Sequence, residues 1–254
     1  MIVQGLLRQA LTDFFASNPP SFTARGLHSW KHVSRRKYKG SGTSMNSTPL
    51  NISHSPGNDC LQKWRIGSDK IHNEGNSEFS FEVNDRGKGV FHGFIDTNPP
   101  KDGKNRFAGY CGIKSVKKKK SFLRDDWFDW TAFTHLEMRI RGDGRNYMVN
   151  LGLGMYYDVN WFDTFTYVLH TRGGPYWEVI RIPFSKFFLT NKGRIHDRPQ
   201  PVPLDKVNSV GITSATVSGP FHLEIDYIGC HRDESHKEKT AYELYTIPKE
   251  YVSG

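Results

Sequence analysis

From Trp64 onward apolar and polar residues alternate with a period of two, and helical spacing nearly disappears. Phe79, Phe81 and Val83 are separated by Ser80 and Glu82, and Leu136, Met138 and Ile140 by Glu137 and Arg139. Phe221, Leu223, Ile225 and Tyr227 enclose His222, Glu224 and Asp226 in the same way. The runs Tyr147, Val149, Leu151, Leu153 and Phe165, Tyr167, Leu169 repeat it. Such segments put one face on a core and the other in water, as the strands of antiparallel sheets do. Breaks rich in Gly, Asn and Asp separate them, at residues 84–89, 98–103, 142–144, 173–175 and 218–220. Short strands at this spacing predict an all-β sandwich or barrel rather than a βαβ fold. Gly142-Asp143-Gly144 is expected to close a hairpin between residues 133–141 and 147–155. Short helical turns are expected at Trp127–Phe133 and Phe184–Leu189, and residues 231–239 read as a peripheral closing segment.

The first residues follow a different rule. Val3, Leu6, Leu7, Ala10, Leu11, Phe14 and Phe15 fall at helical spacing, opposite Gln4, Arg8 and Thr12. Residues 1–58 hold seven basic side chains and one acid, so +6 of the net +9 lies there and only +3 on the body. An amphipathic, acid-poor leader with Arg and Ser has the composition of a mitochondrial presequence, which is the expectation for residues 1–40. Residues 41–58 carry no charge and are rich in Ser, Thr, Asn, Gly and Pro, a flexible linker by composition. The sandwich domain is expected over 59–240, with a C-terminal tail at 241–254. Behind a mitochondrial leader the N-x-[ST] sequons at Asn46 and Asn51 are chance matches.

Composition removes several classes. Aromatic residues are 13% of the chain, which argues for a packed core and against disorder. A nucleic-acid binder keeps its basic footprint on the domain that binds, and here the excess charge lies outside it. No window approaches the roughly 18–20 apolar residues that cross a bilayer, so the expectation is a chain that is soluble or bound to a membrane surface. Cys60, Cys111 and Cys230 are far apart and form no C-x-x-C, which excludes a dense disulfide framework and a four-thiolate zinc site. A reducing compartment follows most simply.

Candidate chemistry is sparse. Phosphate-loop, zincin and nucleophile-elbow motifs are missing, and Gly152-Leu153-Gly154 lacks the third glycine of a dinucleotide loop. Glu224 and Asp226 lie on one face of a strand, the kind of carboxylate pair that glycoside hydrolysis uses. Alternation with Leu223 and Ile225 alone accounts for them as a solvated or edge face. His222, His231 and His236 have no tight ligand spacing for a metal. Arg141-Gly142-Asp143, a cell-adhesion tripeptide by composition, is explained by its turn. The one basic cluster of the body is Lys117, Lys118, Lys119 and Lys120, near Phe122, Trp127 and Trp130. Lysines of this kind protect sheet edges; an anionic partner is the second reading, an anionic membrane surface is a further option, and nucleic acid ranks last.

The stretch Thr171–Trp177 links two predicted strands. Gly173 and Gly174 loosen its backbone and Pro175 fixes it again. Arg172 and Tyr176 are residue types that dominate protein interfaces, so they are expected to meet a partner. Trp177 is expected to be structural, facing inward with Val179.

Ordered segments then carry a resemblance. Residues 139–150 (RIRGDGRNYMVN), 171–177 (TRGGPYW) and 182–188 (IPFSKFF) stand in sequence, followed by Leu204-Asp205-Lys206, Val210-Gly211-Ile212 and residues 219–229. With Trp64 to Lys70 and Gly109-Tyr110-Cys111 upstream, they resemble the complex I intermediate-associated protein family over residues 59–232. The segments before Asp59 and after Arg232 depart from the pattern. The resemblance implies a galactose-binding-like jelly-roll β-sandwich in the mitochondrial matrix, with association with the inner membrane left open. It implies an assembly factor for NADH:ubiquinone oxidoreductase, working on membrane-arm intermediates with an adaptor protein and an acyl-CoA dehydrogenase-like protein. It carries no cofactor, no metal and no catalytic residue. Two other classes stay open: a carbohydrate-binding module, which predicts a row of exposed aromatics, and a β-sandwich hydrolase using Glu224 or Asp226.

Overall fold

A computed structural model describes residues 58–101, 108–117, 119, 122, 126–154, 163–191, 194–196, 200–215 and 217–240. The presequence, nearly all of the linker and the tail expected from the sequence lie outside the described residues. The alternating runs become strands: β1 (Trp64–Ser68), β2 (Glu78–Val83), β3 (Gly89–Ile95), β4 (Tyr110–Ser115), β5 (His135–Arg141) and β6 (Asn146–Leu153). They continue as β7 (Asp163–His170), β8 (Glu178–Pro183), β9 (Phe188–Asn191), β10 (Arg194–Ile195), β11 (Val207–Ala215) and β12 (Gly219–His231). All pairings are antiparallel. One sheet has the order β1-β4-β11-β6-β7-β9-β10 and the other β2-β3-β12-β5-β8. Helical structure is slight, with short 3-10 turns at Asn58–Lys63, Phe184–Lys186 and Leu204–Lys206.

The core forms where the two inner faces meet. Phe91, Leu136, Met138, Ile140, Ile182, Leu223 and Ile225 project from the smaller sheet. Cys111, Ile113, Val149, Leu151, Phe165, Val210 and Ile212 meet them from the larger one. Phe91 and Phe221 lock the centre, with ring centroids 4.8 Å apart. Alternation on β12 shifts once. Asp226 is an extra residue opposed by none on β5, so Ile225 pairs with Ile140 and Tyr227 with Arg139. Beyond this bulge Ile228 takes up the inward position.

Two local expectations are corrected. β5 and β6 are not a hairpin: β5 pairs with β12 and β8, β6 with β11 and β7, in different sheets. Residues 142–145 turn a corner between the layers. The Asp143 carboxylate fixes it, accepting from the Arg145 N–H at 3.0 Å, the His222 N–H at 2.7 Å and the Tyr147 hydroxyl at 3.2 Å. Residues 127–133 are not a helical turn as a whole, because the Phe128 and Trp130 N–H groups donate to Val207 and Leu204 carbonyls instead of to their own segment. The Phe133 N–H folds back, to Trp130.

The β1–β2 connection is built on one buried carboxylate. Asp69, fully buried, accepts from the Ser77 N–H (3.0 Å), the Ser77 hydroxyl (2.9 Å) and the Gly109 N–H (2.7 Å). Gly75 is required beside it, since a Cβ there would stand 2.1 Å from Asp69 Oδ2. Asp69→Ala strands these donors in a dry site and should lower unfolding free energy by about 3 kcal/mol or more, at 1–3 kcal/mol per unsatisfied group. Urea denaturation with an unchanged m-value checks this.

Candidate functional site

The outer face of the five-stranded sheet gathers the polar residues of β12, β5 and β8. β12 lies at its centre, so Glu224 and Asp226 are neither an edge nor a solvated face. They are 7% and 5% exposed. Cross-strand register supplies their partners: Arg141 stands opposite Glu224, and Arg139 opposite Tyr227 beside the bulged Asp226. Arg141 pairs with Glu224 Oε1, which His222 Nε2 also reaches at 3.3 Å. Lys88 and Arg139 take one oxygen each of Asp226. Further along β5, Glu137 receives Arg181 Nε at 2.8 Å and the Tyr227 hydroxyl at 2.8 Å.

These pairs settle the electrostatics. Burial alone would raise the Glu224 carboxyl, but Arg141 and His222 outweigh it and hold the group below the usual carboxylate range. Glu137 behaves alike, with burial overcome by Arg181 and Tyr227. A general acid of the glycosidase type needs the opposite shift. Glu224 Oε2 is buried without a hydrogen-bond partner among the described residues.

The Thr171–Trp177 loop folds against this face. The Thr171 hydroxyl donates to the Arg145 carbonyl at 2.8 Å and accepts from the Gly144 N–H at 3.2 Å. A Cβ on Gly142 would lie 2.3 Å from Thr171 Cβ, so the corner and the loop can meet only at a glycine. The Arg172 N–H donates to Glu178 Oε1 at 3.1 Å. The loop therefore has a fixed base and an open tip: Tyr176 is 84% exposed, and the exposed Arg172 guanidinium has no partner among the described residues.

Trp177 is not an inward plug. Pairing of Ile140 with Glu178 and Met138 with Ile180 puts the even-numbered residues of β8 inside. Val179 is accordingly 52% exposed, and Ile182 takes the core position. Trp177 lies half-buried on the outer face, its ring centroid 5.4 and 5.3 Å from the guanidinium carbons of Arg139 and Arg141. Its contacts are cation–π, so it clips the loop to the charged pairs.

The other candidate group stands apart. Lys117 follows the end of β4 remote from the corner turn, and β4 lies between β1 and β11, so it is not an edge strand needing lysines. Lys118 and Lys120 lie outside the described residues, and Lys119 is engaged. His231 and His236 gather around His135, with ring centroids 6.1 and 4.9 Å away, while His222 is separate beside His92. Among the described residues no group of His, Cys, Asp and Glu is arranged to hold a metal. Burial pushes the Cys111 and Cys230 thiols up to about 12, which keeps them unreactive. No aromatic row crosses the outer face of the smaller sheet: Phe94 and Tyr176 are its well-exposed aromatics among the described residues, and ion pairs occupy the middle.

Two antiparallel sheets with this layout define a β-sandwich of the kind used by carbohydrate-binding modules. The family 11 carbohydrate-binding module of the cellulosomal cellulase Lic26A-Cel5E of Clostridium thermocellum superposes with a TM-score of 0.52 at 14% identity, over 75% of this chain and 97% of that one. At that identity the likeness concerns the fold alone. The sequence is specific where the fold is general. Residues 54–225 match the family described as Complex I intermediate-associated protein 30, and the chain belongs to that family. It is 45% identical over 198 residues to the mitochondrial protein of that name from Drosophila melanogaster, covering 77% of this chain and 67% of that one. The Caenorhabditis elegans protein named as a probable member is 45% identical over 190 residues, and the Mus musculus protein 42% over 185. Those matches cover 74% and 72% of this chain and 56% of each relative, so the chain spans little more than half of their length.

The buried Glu224–Arg141 pair makes a prediction with a sign. Because the folded carboxyl titrates below its unfolded value of about 4.3, its stabilisation is present above that value and is lost as pH falls through the folded one. Stability should therefore decline from about pH 5 toward pH 3, with a shallower slope in Glu224→Gln. Arg141→Ala, which leaves the carboxylate buried and without its main cation, should cost about 3 kcal/mol at neutral pH. Denaturant melts across that pH range read both effects.

Proposed function

We propose that this protein is an assembly factor for respiratory complex I in the mitochondrial matrix, acting by binding rather than by catalysis. The observation that carries the reading is the family match over residues 54–225, with 42–45% identity to mitochondrial proteins named for association with complex I intermediates. The chemistry of the outer face supports the non-catalytic half. Both β12 carboxylates are engaged by cations, and Glu224 is held ionised rather than poised to donate a proton.

The loop at 171–177 supports a binding role. Its base is fixed by Thr171 and Trp177, so Arg172 and Tyr176 are offered in a preset geometry with little ordering entropy left to lose. Partners of the kind the family resemblance implies are an adaptor protein and an acyl-CoA dehydrogenase-like protein, with membrane-arm intermediates as the client. The basic leader would deliver the chain to the matrix and be removed before Asp59.

Two experiments test this. A fluorescent protein carrying residues 1–58 should enter mitochondria; cytosolic or secretory location would refute the import step. In cells lacking the endogenous protein, the parental chain should restore complex I on native gels. Arg172→Glu combined with Tyr176→Ala should keep the parental melting temperature yet leave assembly intermediates accumulating and partners absent from pull-downs. Full rescue by that variant would remove the loop from the interface. Failure of the parental chain to restore complex I would remove the assembly role.

A further inference from the structure

The seven-stranded sheet ends at β1, which is paired with β4 on one side only. The Val116 N–H donates to the Lys63 carbonyl at 2.7 Å, and the Asp69 N–H to the Tyr110 carbonyl at 3.2 Å. Hydrogen-bonded pairs recur every second residue in an antiparallel ladder, so Lys63, Arg65, Gly67 and Asp69 all turn their backbone groups to β4. Ile66 therefore directs its N–H and C=O to the open side, where neither has a partner among the described residues.

The Ile66 side chain is short of a neighbour as well. It stands opposite Ile113, on the face that packs against the smaller sheet. Ile113 is buried there, yet Ile66 is 58% exposed. An inner-face residue is left in water because no further strand continues the sheet past it.

The outer face of the same edge is cationic. Lys63 and Arg65 alternate with Trp64 and Ile66, and Arg65 stands directly opposite Lys114 on β4. Like charges so placed destabilise an antiparallel pair. Burial, with Lys117 and Arg65 nearby, pushes the Lys114 ammonium below the usual lysine range. No acidic side chain among the described residues pairs with Lys63, Arg65 or Lys114. Cations on an edge strand discourage pairing with another copy. Two β1 edges laid together would set Lys63 and Arg65 alongside their own counterparts. An acidic strand meets the opposite sign.

We propose that β1 is a docking edge for an extended acidic segment of a partner protein, added as a further strand of the sheet. The backbone of that segment bonds to the Ile66 N–H and C=O. Its apolar residues continue the inner face over Ile66, and acidic residues alternating with them lie beside Arg65 and Lys63. A free phosphate or carboxylate would answer the cations but leave the Ile66 amide and side chain in water. This edge is independent of Arg172 and Tyr176 and of the assembly role.

A short synthetic peptide alternating Glu with Val is the probe, compared with Lys alternating with Val and with polyglutamate. The full chain should bind the Glu–Val peptide and ignore the Lys–Val one. By NMR, the Ile66 amide should exchange rapidly in the free chain and slowly in the complex. Arg65→Glu should weaken the Glu–Val peptide roughly tenfold, as an attractive cross-strand pair becomes a repulsive one. It should also gain the Lys–Val peptide while keeping the parental melting temperature. Ile66→Pro, which removes the open-side N–H at a position where an edge strand tolerates proline, should abolish binding. An Ile66 amide already protected in the free chain would show the edge covered from within and overturn the proposal. So would equal binding of polyglutamate, protection confined to residues 1–40, or unchanged affinity in Arg65→Glu. None of these results would alter restoration of complex I by the parental chain, which tests the assembly role separately.

Discussion

β12 has to keep Leu223 and Ile225 dry on one side while carrying Glu224 and Asp226 on the other, at the centre of its sheet. A carboxylate taken out of water costs several kcal/mol unless cations and hydrogen bonds replace the solvent. The smaller sheet depends on that replacement. It places Arg141 and Arg139 on β5 in register with the acids and brings Lys88 from the turn before β3. The same guanidiniums then hold Trp177, and through it the loop that presents Tyr176. Charge compensation on one strand thus fixes the geometry of an exposed loop beside another.

The fold was legible because period-two alternation survives wherever one sheet face meets the core. Runs such as Phe221–Leu223–Ile225 and Leu136–Met138–Ile140 could be read directly as inner faces. β8 was not legible in this way. Val179, Ile180 and Ile182 are apolar at both parities, and only pairing with β5 decides that Val179 faces out and takes Trp177 with it. The corner at residues 142–145 was also hidden, because a Gly-Asp-Gly turn suits a hairpin and a sheet-to-sheet crossing equally. What distinguishes them is the bond from the distant His222 N–H to Asp143. Asp69 gave no signal at all: a lone acid after a strand acquires its role only when Ser77 and Gly109 are brought to it.

The sandwich is shared with sugar-binding modules, yet a shared fold does not transfer a ligand. Here ion pairs occupy the middle of the outer face, and the exposed tip of a loop lies beside them. The 171–177 loop sits at one end of the sandwich, against the turn at residues 142–145.

The extra residue in β12 has a further meaning for how the strand varies. Before Asp226 the outward positions are even-numbered, and after it they are odd-numbered. The bulge resets the phase, so a substitution pattern tolerated in the first half of the strand does not predict the second. Removing Asp226 itself would restore plain alternation, with Tyr227 still outward and Ile228 still at the core, and would cost only the carboxylate that Lys88 and Arg139 engage. A single deletion should therefore be absorbed by the register at this point, whereas one elsewhere in the strand would turn part of it over.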